Sequence, residues 1–237
     1  SGTKVFDWVV PSEWVIKDAY IKHKTRKIVN FKKNNLHIIN YSIPIRKQIT
    51  KKDLLQRLHS IRNQPRAIPY MTSYYKKNWG FCVTENQKRS IINKYDNKDK
   101  FEIRISSKFK KNGFLYYGEL IIPGKTDQEI LITTYICHPS MANNELSGPL
   151  VATQLAKNYG KLKNNKTIRF VFAPETIGAI SYIHSNFDQL KKNVVGGYVL
   201  TCIGDERNFS YLQSKYGNSI SDICAKKAFK KLKIKFK

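Results

Sequence analysis

The sequence predicts an α/β protein in which a mixed, largely parallel sheet is flanked by helices and a small α+β domain is inserted. After Gly124, apolar strand-like runs alternate regularly with helix-length segments. Strands joined through such helices indicate right-handed crossovers and a sheet that is largely parallel. Between residues 22 and 111, Lys-rich turns separate short apolar runs instead. We therefore predict that 1–21 opens the main domain, that 22–111 is the insertion, and that 112–237 completes the main domain.

Composition supports packed domains. Hydrophobic residues make up 41% of the 237 residues and aromatic residues 12%, which suffices for a core and argues against disorder. No apolar run approaches the roughly 20 residues that span a bilayer, and no signal-peptide pattern opens the chain. We therefore expect a soluble, cytoplasmic protein without a membrane partner.

The net charge of +26 raises the question of a nucleic-acid partner. It arises from 43 Lys and Arg against 17 Asp and Glu. The basic residues are spread along the whole chain, and Lys, Asn and Ile are abundant together, as AT-rich coding would produce. We expect a solvated basic surface rather than nucleic-acid binding, although binding remains an alternative that predicts a steep dependence on salt.

In the first half of the chain, apolar runs and turn residues predict short elements. Those elements are a strand at 5–11, a strand at 36–41, helices at 51–61 and 84–95, and a hairpin of strands at 101–106 and 113–122. The mixture of aromatic and basic residues at 70–79 could stack on bases or sugars. It is more often the core of a small domain, because aromatic side chains supply much of the buried area there.

In the second half, longer apolar runs predict a regular series of strands and helices. The series is strand 130–137, helix 146–159, strand 167–173, helix 177–190, strand 195–202 and helix 220–231. The carboxyl ends of parallel strands meet at one edge of a sheet, where ligands bind. We expect His138, Glu175 and Asp205, which follow the three strands, to gather at this edge.

Each of these residues has a structural alternative. Glu175 precedes a helix and could be a capping carboxylate, His138 could be a surface histidine held in its turn, and Asp205 could lie in a solvated turn. Together, however, imidazole and carboxylate oxygens are the ligands of hydrolytic zinc sites. The sequence therefore indicates a candidate metal site, and we expect the other four histidines to be structural or exposed.

The four cysteines are widely scattered and include no CxxC pair, so the sequence indicates neither a thiolate cluster nor a disulfide framework. Cys137 and His138 are neighbours in the predicted strand. Since adjacent side chains of a strand point to opposite faces, we do not expect them to form a nucleophile and base pair.

Four segments of the chain resemble the core of co-catalytic zinc aminopeptidases. They are residues 118–124, 130–138, 142–148 and 173–178. The chain is more closely similar to bacterial aminopeptidase-like proteins of unknown function encoded among polysaccharide-biosynthesis genes. The resemblance implies a zinc-exopeptidase-like fold, with 1–21 and 112–237 forming an aminopeptidase-like domain that is truncated at its C-terminus. The sheet would then be incomplete, and its exposed apolar edges would favour homo-oligomers.

The resemblance also implies roles for individual residues. His138 matches a zinc ligand and Glu175 matches the general base, whereas Thr176 replaces a ligand of the family. Asn143 and Asn144 occupy the segment that carries a metal-bridging aspartate, so one zinc ion is expected rather than two. A further aspartate ligand of the family falls near Thr201, which leaves Asp205 as a shifted substitute. The last histidine ligand lies in a region that this chain does not contain.

The predicted function is a zinc-dependent aminopeptidase-like hydrolase in which His138 and Asp205 bind the metal, Asn143 and Asn144 complete the loop, and Glu175 is the catalytic base. The substrate would be a peptide or an amide of an amino-sugar-derived molecule, the latter linked to surface polysaccharide biosynthesis only through the resemblance. The alternative is a non-catalytic scaffold of the same fold that has lost its metal and binds a glycan or a partner.

Overall fold

The computed structural model describes residues 1–236. The chain divides into two compact units. The first unit comprises Ser1–Thr3 and Pro11–Phe114, and the second comprises Lys4–Val10 and the chain from Leu115 onward. Within residues 1–236, no helix combines the length and the apolar character that a membrane span requires.

The strands of the described chain are numbered in order. They are β1 (Lys4–Val5), β2 (Trp8–Val9), β3 (Glu13–His23), β4 (Arg26–Asn30), β5 (Ile45–Thr50), β6 (Leu58–His59), β7 (Phe81–Cys82), β8 (Lys100–Lys110), β9 (Gly118–Ile122), β10 (Thr126–Tyr135), β11 (Lys166–Ala173) and β12 (Val194–Leu200). The helices are α1 (Lys51–Leu55), α2 (Glu85–Lys94), α3 (Ala142–Tyr159), α4 (Ile177–Ser185), α5 (Phe187–Asn193) and α6 (Ile220–Lys231), with a 3₁₀ helix at Asn35–His37.

The first unit is built on an antiparallel sheet with the strand order β4-β3-β8-β5. Alternate residues of β8 point inward, and Phe101, Ile103 and Ile105 are buried in one hydrophobic cluster with residues of both α1 and α2. Helix α2 begins with a capping box, in which Thr84 and Gln87 satisfy each other's backbone amides. This unit therefore has its own core.

The second unit contains a mixed sheet with the strand order β12-β10-β11-β9. Strand β10 pairs in parallel with both β11 and β12, whereas β9 pairs antiparallel with β11. The α/β class is confirmed, but the chain as a whole is not dominated by parallel strands, because the four-stranded sheet of the first unit is entirely antiparallel.

Helices cover both faces of this mixed sheet, as the alternation of residues along β11 shows. Ile168 and Phe170 pack in a cluster with Ala152 and Ala156 of α3. Val171 and Ala173 pack instead with Tyr182 of α4 and Leu190 of α5. The three parallel strands are thereby held in a layered core, and their carboxyl ends open onto the loops that carry the candidate residues.

Several predicted elements differ from the structure. The prediction of a hairpin formed by 101–106 and 113–122 is wrong, because β8 pairs with β3 and β5 while β9 pairs with β11. The strand at 36–41 is replaced by a 3₁₀ helix followed by isolated bridges. Helix α6 matches the prediction at both ends.

Two predicted helices also end earlier than their apolar residues indicate. The helix predicted at 51–61 stops at Leu55, and Leu58 belongs to a short strand whose partner contains Phe81. The helix predicted at 177–190 is two helices, because Asn186 has the non-helical backbone angles φ −121° and ψ 19°. Strand pairing therefore shortens the first predicted helix, and a break in the backbone at Asn186 divides the second.

The boundaries of the units also depend on pairing between distant strands. Residues 11–21 belong to the first unit in the structure, because β3 pairs with β8 along most of its length. The interpretation of 1–21, 22–111 and 112–237 as parts of an aminopeptidase-like domain and its insertion stays a prediction.

Candidate functional site

The three parallel strands end at one edge, and a loop follows each of them. His138 lies three residues beyond β10, Glu175 lies two residues beyond β11, and Asp205 lies five residues beyond β12. This arrangement follows from the parallel register of the strands, and it is the edge at which α/β sheets usually bind ligands.

The same three loops each contain a non-glycine residue with a positive φ angle. These residues are Ser140 (φ 62°), Thr176 (φ 57°) and Cys202 (φ 51°). Such conformations cost free energy and occur preferentially where a functional arrangement demands them. Each of the three loops therefore contains one strained backbone conformation.

His138 lies at the centre of a group of polar side chains. Its Nδ1 atom is 2.7 Å from Glu145 Oε1 and 3.4 Å from Asn144 Oδ1. It is also 3.8 Å from both Cys137 Sγ and Glu175 Oε2. The structure thus brings together three residues that the sequence predicted, His138, Asn144 and Glu175.

Glu145 is a member of this group that sequence reasoning missed. It lies in the first turn of α3, and only 7% of its surface is exposed. Its Oε2 atom accepts a hydrogen bond of 2.7 Å from the backbone N–H of Cys137, so the carboxylate reaches back to the start of the loop. One signal could have identified it, since Glu145 is the only acidic residue between His138 and Gly148.

Cys137 is the second member that was missed. Strand β10 ends at Tyr135, so the alternation expected for neighbours in a strand does not apply, and the thiol lies beside the imidazole. The backbone N–H of Glu175 donates to Cys137 Sγ at 3.1 Å. Burial nevertheless raises the pKa of the Cys137 thiol to about 11. A neutral thiol of this kind is a weak nucleophile.

Asn143 and Asp205 are engaged with each other. Asn143 donates from Nδ2 to Asp205 Oδ2 at 3.0 Å, and its Oδ1 accepts from the Gly204 N–H at 2.8 Å. Hydrogen bonds from the side chain and backbone of Arg207 hold the pKa of the Asp205 carboxyl below its usual value. Their roles as metal ligands stay predictions, and in this structure they fasten α3 to the loop after β12.

Three side chains at this edge could together hold a metal ion. Within residues 1–236, one group of three or more metal-binding side chains occurs, and it consists of Cys137, His138 and Glu175, whose ligand atoms lie within 4.8 Å of one another. Thiolate, imidazole and carboxylate are all zinc ligands. Asp205 lies outside this group.

Comparison with known proteins gives a consistent picture of the fold. The family model described as "Domain of unknown function (DUF4910)" matches residues 1–237. A Clostridium acetobutylicum protein is 47% identical over 223 residues, which are 94% of this chain and 50% of that protein. Its name proposes a polysaccharide biosynthesis protein with an aminopeptidase-like domain.

Solved structures extend the comparison. A crystal structure of a proposed peptidase from C. acetobutylicum has a TM-score of 0.92 at 44% identity, covering 100% of this chain and 55% of the other. A zinc aminopeptidase from Bacillus subtilis has a TM-score of 0.67 at 12% identity, covering 95% and 66%. The second likeness shows the fold alone. The chain spans about half the length of the Clostridium relatives that it matches.

Proposed function

This chain belongs to the DUF4910 family, and we propose that its second unit acts as an aminopeptidase-like hydrolase that cleaves a peptide or amide bond with the help of one zinc ion. The observation that carries the proposal is the convergence of Cys137, His138 and Glu175 within 4.8 Å. It occurs at the strand edge where α/β enzymes bind their substrates. The aminopeptidase-like fold of the relatives supports the same reaction class.

In this proposal, His138 and Cys137 hold the metal ion. When bound, zinc polarises a carbonyl oxygen and lowers the pKa of a coordinated water. Cys137 would give up its proton on binding, because the thiolate is the form that ligates metals.

Glu175 acts as the general base in this proposal. Its side chain is 42% exposed, so it can meet both a water molecule and a substrate. It would accept the proton of the attacking water and deliver it to the departing amine, which balances the hydrolysis of an amide. The hydrogen bond from its own backbone N–H to Cys137 keeps the base beside the metal ligands.

The substrate that we propose is a peptide, or an amide borne by an amino-sugar-derived molecule. The second possibility draws on the name of the Clostridium relative, which includes polysaccharide biosynthesis. Both substrates contain the amide carbonyl that the chemistry requires.

The experiment that tests this function compares the wild type, Glu175→Gln and Glu206→Gln after loading with zinc. The assay offers aminoacyl amides and N-acetylated amino sugars. We expect Glu175→Gln to retain zinc and to lose activity by about 10²–10⁴-fold, the usual contribution of a general base, while Glu206→Gln retains activity. Full activity in Glu175→Gln, or no hydrolysis of any amide by the loaded wild type, would contradict the proposal.

A second candidate function is a non-catalytic scaffold that binds a glycan. It is favoured by the hydrogen bond from Asn143 of α3 to Asp205, which engages the predicted acidic metal ligand in a contact within the protein. If this reading holds, the wild type binds oligosaccharides without zinc, and the binding persists in His138→Ala.

A further inference from the structure

We propose that Glu145 is a positioning residue, whose carboxylate orients the His138 ring and anchors the loop that carries it. The inference rests on the proposed function in one respect, since it concerns how the protein prepares a metal ligand. The arrangement of Glu145 itself can, however, be tested in the metal-free protein.

The two oxygens of Glu145 make separate contacts with two successive residues. Oε2 accepts from the Cys137 backbone N–H at 2.7 Å, and Oε1 lies 2.7 Å from His138 Nδ1. Both distances are typical of hydrogen bonds to an ionised carboxylate. One side chain therefore fixes the backbone at the start of the loop and the rotation of the ring that follows it.

The helix that carries Glu145 is itself fixed closely against the sheet. At Gly148, one turn further along α3, a Cβ atom would collide with the Thr134 side chain and the Leu200 carbonyl. Ser147 Oγ also accepts from the Ile203 N–H at 3.0 Å. The carboxylate thus projects from a rigid support, which is what the orientation of a ligand requires.

Two other polar side chains near His138, Glu175 and Asn144, are less suited to this role. Glu175 Oε2 is 3.8 Å from Nδ1, beyond hydrogen-bonding distance, and its side chain is 42% exposed. Asn144 Oδ1 is at 3.4 Å, which is a weak hydrogen bond. Glu145 is both the nearest and the most buried of the three.

A carboxylate at Nδ1 selects one tautomer of the ring. We expect the proton to reside on Nδ1, directed at Glu145, and in that tautomer Nε2 would be the nitrogen that binds a metal ion. Carboxylates commonly orient histidine ligands in this way, and their removal weakens metal binding by about 10–100-fold. Glu145 would thus place a negative charge beside the metal ligand His138, which the neutral side chains of Asn143 and Asn144 cannot do.

The test uses the full chain without metal, and the ring nitrogens are observed by long-range ¹H–¹⁵N NMR at pH 7 to 9. The His138→Gln variant identifies the signals of His138. We expect the Nδ1–H tautomer in the wild type and in Glu145→Gln, whose amide oxygen can still accept. In Glu145→Ala we expect loss of that preference and faster hydrogen exchange at the Cys137 amide. Glu175→Ala is the matched control and should change neither.

Zinc titration provides the second readout. We expect Glu145→Ala to bind zinc about 10–100-fold more weakly than the wild type, with Glu145→Gln in between. If the wild type binds no zinc, the proposed function fails while the NMR result still decides the role of Glu145. If Glu145→Ala does not fold, Glu145→Asp replaces it, because the shorter side chain cannot reach both partners. An unchanged tautomer and unchanged Cys137 exchange in a folded variant would overturn the inference.

Discussion

Two clusters in the second unit each place two carboxylates around one nitrogen-bearing side chain, yet they differ in how fully their atoms are paired. In the first cluster, Arg169 on β11 is 1% exposed and binds Glu129 through Nε at 2.6 Å and Nη2 at 2.9 Å. Its Nη1 binds Glu119 at 2.6 Å, and Tyr182 donates its hydroxyl to the same Glu119 oxygen. We call this set the arginine cluster.

The second cluster, at the carboxyl ends of the strands, is less complete. One carboxylate, Glu145, is buried and bonded, while the other, Glu175, is exposed and 3.8 Å from His138. Fully hydrogen-bonded groups in a core stabilise the structure, whereas a reactive group must have atoms available to bind a substrate. Burial and pairing therefore distinguish a structural ion network from a candidate catalytic site, even where the residue types are similar.

The largest effect should come from breaking the arginine cluster. We expect Arg169→Met to lower the free energy of unfolding by about 3–5 kcal/mol, since Glu129 would be left buried without its partner. Urea denaturation measures the change. Arg89→Met is the control, because the Arg89 side chain is largely exposed and its partner in the same helix, Glu85, keeps a hydrogen bond from Ser60. This change should cost about 0.5 kcal/mol. Similar losses of unfolding free energy in Arg169→Met and Arg89→Met would show that the arginine cluster is no more important for stability than an ordinary surface ion pair.

A smaller effect should appear in the reactivity of Cys137, which tests how closed the candidate site is. With a pKa of about 11, about one thiol in a thousand is ionised at pH 8. We expect alkylation in metal-free protein to be about a hundredfold slower than that of a free cysteine peptide. Peptide mapping should show the exposed Cys202 reacting first. Equal rates at Cys137 and the peptide would mean that the thiol is open to solvent.

The smallest effect that we predict concerns Asp222, a buried carboxylate in α6 that is paired as fully as the arginine cluster. Hydrogen bonds from Ser214, Ser219 and Tyr211 hold its pKa well below the usual value. Because the folded pKa lies below the unfolded one, Asp222 stabilises the fold above about pH 4. That contribution disappears as the pH falls through the folded value.

Thermal unfolding across a pH series measures this contribution. We expect Asp222→Asn to have a lower Tm than the wild type at pH 7, with the gap narrowing steadily below about pH 4. Asp188→Asn serves as the control, because it changes a carboxylate in the first turn of another helix. A difference in Tm that does not change with pH would show that Asp222 stabilises the fold through its packing rather than through its charge.

The sequence was sufficient for the parts of the site that depend on strand periodicity. The apolar runs identified β10, β11 and β12, and their parallel order then predicted that His138 and Glu175 would meet. The neighbours of His138 were not predictable in this way. Glu145 reaches it through the path of the loop at 137–141, and Cys137 lies past the end of the strand.

The errors in the fold have a related cause. Strand β9 was assigned to a hairpin with the preceding strand, but its partner is β11, which begins 44 residues after β9 ends. Long-range pairing is determined by which apolar faces can share a core, and residue patterns within one segment contain little information about it. The hydrogen bond between Asn143 and Asp205 illustrates the same limit, since the strand order predicts Asp205 at this edge but not the side chain with which it pairs.

The central claim, that His138 belongs to a single-zinc site, is tested most directly by metal content. Wild type, His138→Ala and His184→Ala are purified without chelator and analysed for zinc per chain, with His184 as the control because it belongs to the same unit. We expect about one zinc ion per chain in the wild type and His184→Ala, and almost none in His138→Ala. No zinc in the wild type, or equal zinc in all three proteins, would contradict it.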